Sequence, residues 1–404
     1  MPLRVKYRKM LEPLARFKKA TAADDIRLIF GCDATQTRHG LFPHFEILDR
    51  LAMASASRGK RDARLLGQLL LAAALPVLLV SPHSVSAQST PAQSDTLKPE
   101  VRRFIAHMVR NHGFDGQALR ALLANAQPNQ DVLRAISVPV TSRPWYQFRP
   151  LCVDDAQIAD GVRFWNDNAA SLERARRDFG VPQEIVVAVI GVESRYGRHA
   201  GGFRAIDALY TLAFEWPNRA EYFRGELEQF LVLAREQRWD TAFVQGSFAG
   251  ALGWPQFMPS NYRRFAVDYS GDGSIDLWSD MADIVGSVAS YLQQFGWKAG
   301  QPIAAPAQLD GVDPGPLLQL GFKPQLTWSQ WQKRGLRSPE DIDGRLPASL
   351  FSVDLADGPE YWLGFDNFHA LLRYNHSRNY AMAVYQLAQQ IRAERERQGL
   401  TGSQ

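Results

Sequence analysis

Cysteine is nearly missing from this 404-residue chain, which has only Cys32 and Cys152. Two thiols cannot make a disulfide framework, so stability has to come from a hydrophobic core. Internal repeats at solenoid periods are also lacking, which excludes a stacked-repeat architecture. Basic excess is missing from most of the chain, although the isoelectric point is near 9.0. Residues 1–64 hold 14 Lys/Arg against 7 Asp/Glu, and the remainder holds 32 against 35. The basicity belongs to one N-terminal segment, so no nucleic-acid partner is expected. Long apolar runs are absent but for residues 65–80, and no charge falls in residues 65–87.

Arg58, Lys60, Arg61 and Arg64 precede that run, and Val85-Ser86-Ala87 follows it. A basic segment, a short apolar run and a small-residue cleavage position describe a secretory signal. Pro76, inside so short a run, argues against a stable membrane span. Residues 53–87 therefore read as a signal peptide starting at Met53, and residues 1–52 as a mis-assigned start. Cys32 follows Leu28-Ile29-Phe30-Gly31 without a long apolar run before it, so a lipid-acceptor role is discounted. The expected address is the bacterial periplasm, in soluble form. Residues 88–100, rich in Ser, Thr, Pro and Gln, are expected to be a mobile tether.

The chain is organised around residues 181–198. Pro182 suits a first helical position, and Ile185 to Val192 is apolar on every face, as in a helix buried all round. Its C-terminal end delivers Glu193, followed by Gly197. That end of a helix disfavours an ionised carboxylate, and apolar neighbours disfavour it further. A Glu that holds its proton near neutral pH suits general-acid chemistry. The structural alternative is a Glu paired with Arg195 or Arg198.

Apolar periodicity predicts helices over residues 101–135, 155–179 (ended by Gly180), 205–212, 222–238, 281–295 and 367–397. Residues 142–150 read as a proline-bounded aromatic loop. Residues 298–365, richer in Pro and Gly, suggest a small β-rich insert with a hairpin about Asp357-Gly358.

Three further patterns carry chemistry. Asp268, Ser270, Asp272 and Asp276 stand at positions 1, 3, 5 and 9 of a loop with Gly273 at position 6, the calcium-loop pattern. Ser274 would supply its carbonyl at position 7. Ser279 replaces the usual position-12 Glu, leaving Asp280 or Asp283 to close the sphere; an Asp-Gly turn is the plainer reading. In the loop 246–260, Gly246, Gly250 and Gly253 permit close backbone approach. Trp254, Phe257 and nearby Tyr262 offer flat faces on which sugar rings stack, and Ser247 and Gln256 offer hydrogen bonds. A second carboxylate, as in ordinary glycosidases, is not evident: Asp207, Glu215 and Glu221 follow Glu193, none in a comparable setting.

At I-G-V-E-S-R-Y-G-R (190–198) and G-S-F-A-G-A-L-G-W-P-Q-F-M-P-S (246–260) the chain resembles the lytic murein transglycosylase B family. The likeness continues through P-W-Y-Q-F-R (144–149), R-A-E-Y-F-x-G-E-L (219–227), D-Y-S-G-D-G-S-I-D-L-W (268–278) and R-Y-N-H-S-x-x-Y-A-M-A-V (373–384). It implies a mainly α fold, with a lysozyme-like core at 151–297 that includes the calcium loop. An additional helical domain at 101–150, a small β-rich inserted domain at 298–365 and a helix returning at 366–398 complete it. It implies cleavage of the β-1,4 MurNAc–GlcNAc bond of peptidoglycan without water, leaving 1,6-anhydro ends. Glu193 would be the single acid/base, with Ser247 orienting it. Gln256, Phe257 and Tyr291 would line the sugar subsites, with Arg219, Tyr222, Tyr374, Asn375 and Tyr380 also on the cleft. Asp268, Ser270, Asp272, Ser274 and Asp283 would hold Ca2+. No organic cofactor is implied; the partners are glycan strands and cell-wall synthesis proteins, and the chain is expected to be monomeric. Phe148 stands where some relatives have Tyr, and Asn218 precedes Arg219 where relatives can have two arginines. The rivals are a hydrolytic muramidase and a non-catalytic peptidoglycan-binding scaffold. Peptide mass spectrometry of the precursor is expected to find no fragment of residues 1–52; any such fragment removes the Met53 start.

Overall fold

The computed structural model describes residues 97–399, Pro139 and Phe322 excepted. The expected early start and signal peptide lie outside the described residues, as does the tether up to residue 96. The last two tether residues, Pro99 and Glu100, already belong to the first helix.

Helix α1 (Pro99–His112) buries Val101, Phe104, Ile105 and Met108, a spacing that sets them on one face. Asp115 caps α2 (Gly116–Ala124) and Asn129 caps α3 (Gln130–Ser137), so residues 101–135 form three helices where the periodicity predicts one. The expected loop at 142–150 is largely helical, as α4 (Trp145–Cys152) with Pro150 inside it. That proline removes one internal hydrogen bond, and burial of Trp145 and Phe148 to 1% and 2% exposure outweighs the loss. Helices α5 (Asp155–Asp167) and α6 (Ala169–Phe179) replace the single helix expected at 155–179, separated at Asn168. Gly180 ends α6 at φ +70°.

Helix α7 (Gln183–Ser194) starts one residue later than expected, with Pro182 as its cap, and buries every side chain from Ile185 to Val192. Strand β1 (Phe203–Arg204), α8 (Ala205–Phe214) and α9 (Ala220–Glu236) follow. β2 (Gln245–Gly246) pairs antiparallel with β1, and α10 (Pro259–Phe265) and α11 (Met281–Gln294) complete this part.

The insert comprises β3 (Ala304–Leu309), α12 (Pro314–Leu318), β4 (Leu326–Thr327), α13 (Trp328–Gln332), β5 (Leu336–Arg337), β6 (Pro347–Leu355) and β7 (Gly358–Gly364). Its antiparallel sheet runs β4-β6-β7-β3-β5, and the expected β6–β7 hairpin turns at Ala356-Asp357, one residue before the expected Asp357-Gly358. Trp328, Trp331, Leu350, Leu363 and Phe365 give it a core of its own. The chain returns in α14 (Asp366–Tyr374) and α15 (Arg378–Arg397), two helices where one is expected, because Ser377 caps the second afresh. Helix α15 packs against α5 and α7, so α7 is enclosed on several sides.

Just beyond α7, Tyr196 turns back at φ +56° and lays its ring into a notch made by two glycines. A Cβ on Gly191 would lie 2.5 Å from the Tyr196 hydroxyl, and one on Gly161 would lie 2.6 Å from it. Gly191→Ala would raise intrinsic helix propensity by about 1 kcal/mol. It is nonetheless expected to destabilise the protein by about 1–3 kcal/mol, because the overpacked ring has nowhere to go. Urea denaturation checks the sign, and a more stable Gly191→Ala would remove the notch.

Candidate active site

Glu193 is the penultimate residue of α7, half-buried at the end where helix carbonyls point outward. Burial pushes its carboxyl up to about 8, and the Tyr380 hydroxyl opposes the shift. The two arginines that could neutralise it are held elsewhere. Arg195 pairs with Asp154 at the start of α5, and Arg198 pairs with Asp160 in the same helix. Arg195 reaches its partner from a left-handed cap (φ 50°, ψ 49°), its N–H on the Gly191 carbonyl at 2.9 Å. The chain therefore turns away from Glu193 while its cations are drawn to α5. Pairs 41 and 38 residues apart left no signal in the sequence.

Three tyrosines surround the carboxyl, and each has its own ionisation disfavoured by burial first and by Glu193 next. Tyr291 donates to the Arg373 carbonyl at 2.7 Å, and Tyr374 donates to the Pro255 carbonyl at 2.7 Å. Their hydroxyls are thus committed to the backbone, with the ring centroids 4.7 Å apart. Tyr291, expected to line a sugar subsite, is 2% exposed and belongs to the core packed against Tyr374. Tyr380 stacks on Tyr374 and is 2% exposed, and its hydroxyl has no well-formed hydrogen bond. It is the one tyrosine hydroxyl of the three left to serve Glu193.

The expected orienting residue, Ser247, is placed differently. Its Oγ accepts from the Ala249 and Ala251 N–H groups at 3.2 and 3.1 Å, which folds the loop about Gly250. No hydrogen bond joins Ser247 to Glu193 among the described residues, and its own O–H proton is not used by the loop; the Tyr380 hydroxyl is the one that acts on the carboxyl. Gln256, at φ +54°, donates its amide to the Ala200 and Gly253 carbonyls at 2.9 and 2.8 Å. Its Oε1 is the remaining polar atom of that side chain. Phe257 and Tyr262, expected as flat faces, are each 1% exposed and belong to the core. Phe257 packs beneath Tyr291 and Tyr374 at 5.3 and 5.7 Å, so it supports the rings it was expected to join. Trp254 is half-buried against Gly197, whose absent side chain makes room for the indole. Asn375 caps α14, and Tyr222 is exposed with the Arg219 guanidinium 4.3 Å above its ring.

No other carboxylate contributes to the Glu193 shift. Asp207 accepts the Gln127 N–H and faces Arg204, and Glu221 is exposed. Glu226, not singled out from the sequence, is buried but engaged by the Ser260 N–H and hydroxyl at 2.9 and 2.7 Å. Cys152 is a free, buried thiol pushed up to about 12 by that burial, so it is inert.

The acidic loop folds as its pattern requires. Gly273, at φ +92°, donates to Asp268 Oδ2 at 2.8 Å, and Gly271 donates to Oδ1 at 2.6 Å. These backbone donors hold the exposed Asp268 carboxyl below its usual range. Asp283 is 1% exposed and accepts N–H groups from Tyr269, Ser270 and Asp276, which ties both ends of the loop to α11. Asp268, Ser270 and Asp272 present only oxygen donors around the turn, a set that fits a hard cation such as Ca2+.

Residues 96–389 match the family described as the transglycosylase SLT domain. The chain belongs to this family. It is 45% identical over 303 residues to the membrane-bound lytic murein transglycosylase B of Escherichia coli K12, covering 72% of this chain and 82% of that one. The soluble lytic transglycosylase SltB1 of Pseudomonas aeruginosa superposes with a TM-score of 0.69 at 43% identity, covering 74% of this chain and 100% of that one. The E. coli lytic transglycosylase Slt35, in a structure in complex with calcium, gives 0.67 at 43% identity, with 74% and 94% covered. The expected mainly α, lysozyme-like fold is thereby established for this family member.

Because the folded state raises Glu193 above its ordinary 4.5, folding takes up a proton between pH 4.5 and about 8. Stability therefore falls as pH rises through that window. Glu193→Gln, which has no proton to hold, is expected to be more stable than the parent by roughly 1–3 kcal/mol at pH 7 and about equal at pH 4. Urea denaturation at the two pH values measures this, and a pH-independent difference would contradict the assignment.

Proposed function

We propose that this chain is a lytic transglycosylase that cleaves the β-1,4 bond between N-acetylmuramic acid and N-acetylglucosamine in peptidoglycan. The observation that carries the reading is the solitary Glu193, held protonated up to about pH 8 with no second carboxylate beside it. The protonated carboxyl gives its proton to the glycosidic oxygen as the bond to C1 breaks. The resulting carboxylate then takes the proton of the muramoyl C6 hydroxyl, whose oxygen bonds to C1. The proton balance is zero, no water is consumed, and the product ends in 1,6-anhydro-MurNAc. A substrate hydroxyl replaces the nucleophile or base that a second carboxylate would provide.

Tyr380 positions the carboxyl, the partly exposed Tyr374 ring forms the wall against which sugars pack, with Tyr291 behind it, and Gln256 Oε1 and Asn375 face polar substituents. Ser247 shapes the loop that bears Gln256. Arg219 on Tyr222 suits the anionic stem peptide. Ca2+ would be held by Asp268, Ser270, Asp272 and the Ser274 carbonyl, with Asp283 beneath, since ligating carboxylates are commonly hydrogen-bonded as well. The ion would rigidify the loop. The place of action is the cell wall, reached by export through the signal at 53–87. No helix among the described residues is long and apolar enough to cross a membrane.

Digests of purified sacculi are expected to yield muropeptides one water lighter than hydrolysed ends. Glu193→Gln should lower turnover about 100-fold or more, and kcat/KM should fall as pH rises above about 8, where Glu193 loses its proton. Mass spectrometry that found only reducing ends would favour a hydrolytic muramidase. Chelation is expected to lower the melting temperature and added Ca2+ to restore it; melting insensitive to chelator would remove the ion.

A further inference from the structure

Away from Glu193, α1 and α9 meet at a cluster that the reaction does not use. His107 Nε2 lies 2.9 Å from Glu228 Oε2, and His112 Nε2 lies 2.7 Å from Glu228 Oε1. The three ligand atoms all fall within 4.8 Å of one another, the one such grouping of three His, Cys, Asp or Glu among the described residues. Two imidazoles from the last turns of α1 thus converge on the two oxygens of a single carboxylate, 116 and 121 residues away in sequence.

We propose that His107, His112 and Glu228 form a site for one divalent transition-metal ion of the zinc class, which staples α1 to the cleft-bearing helix α9. Two imidazole nitrogens and one carboxylate suit such an ion, and the nitrogen donors disfavour calcium. Tetrahedral ligands 2.0–2.2 Å from an ion stand about 3.3 Å apart, so each group here moves by about an ångström or less. The Asn111 side-chain amide lies 2.9 Å from His107 Nδ1; with its oxygen turned to that nitrogen it accepts the Nδ1–H and leaves Nε2 free for the ion. The Arg235 guanidinium donates to the His112 carbonyl at 2.7 Å and fixes the end of α1. A cleft of about 670 Å³ opens beside the cluster, lined by Glu100, Glu221 and Arg224 among others, and admits water as a fourth ligand. All three groups are partly exposed, so an ion has a way in.

The test is titration of the metal-stripped chain with Zn2+ by calorimetry, and with Co2+ by visible absorption. The expected result is saturation at one ion per chain, with the intense bands of tetrahedral Co2+ and a higher melting temperature in Zn2+. His107→Gln, His112→Asn and Glu228→Gln, each first verified as folded by circular dichroism, should each weaken binding at least about 10-fold. Because Gln and Asn keep hydrogen-bonding groups at these positions, a purely structural hydrogen-bond cluster would leave the cobalt spectrum without those bands in the parent as well. Three outcomes overturn the site: no saturable binding up to about 100-fold excess of ion, binding unchanged in all three variants, or displacement of the bound ion by Ca2+.

Discussion

The arrangement depends on a carboxyl that has been denied a cation. Glu193 sits where the helix end, the apolar surroundings and the missing counterion all disfavour its charge. Two arginines lie within five residues of it along the chain, and either could have turned it into an ordinary ion pair. The fold prevents this by giving each a fixed aspartate, one capping α5 and one within it, and by bending the backbone left-handed at Arg195 and Tyr196. That bend is strained for non-glycine residues. It is held by the Tyr196 ring, which fills the notch at Gly161 and Gly191.

The rest of the cleft follows from how hydroxyls are shared out. Backbone carbonyls absorb those of Tyr291 and Tyr374, which locks the buried Tyr291 as the backing of the Tyr374 wall and leaves the Tyr380 hydroxyl to the carboxyl. A buried hydroxyl with one poor partner is costly, and such cost is tolerated where the partner gains or loses a proton. Phe257 and Tyr262 lie behind this wall as core residues. The acidic loop is tied to α11, which also bears Tyr291, so loop and wall share one support.

Several elements were legible before the structure. The all-apolar run of α7, the β6–β7 hairpin turning at Ala356-Asp357 and the alternating oxygens of the acidic loop each carry a local physical signature. The boundaries were less legible. Asp115, Asn129 and Ser377 restart helices by capping N–H groups inside stretches whose apolar period runs on unbroken. Helix α4 ran against its prolines because burial of Trp145 and Phe148 is a tertiary effect.

The sequence by itself determined the chemistry on offer: one carboxylate at the end of a buried helix, no evident partner for it, and motifs resembling a known family. Those are properties of residue type and short spacing. Tertiary structure alone decided which side chains meet. Ser247 was expected to orient Glu193; its Oγ accepts two N–H groups of its own loop, and the hydroxyl that acts on the carboxyl in this arrangement is that of Tyr380. Phe257 was expected to line the cleft and instead supports it. The reason is that a hydroxyl or ring has no role until its competitors for hydrogen bonds and burial are in place, and those competitors come from distant parts of the chain.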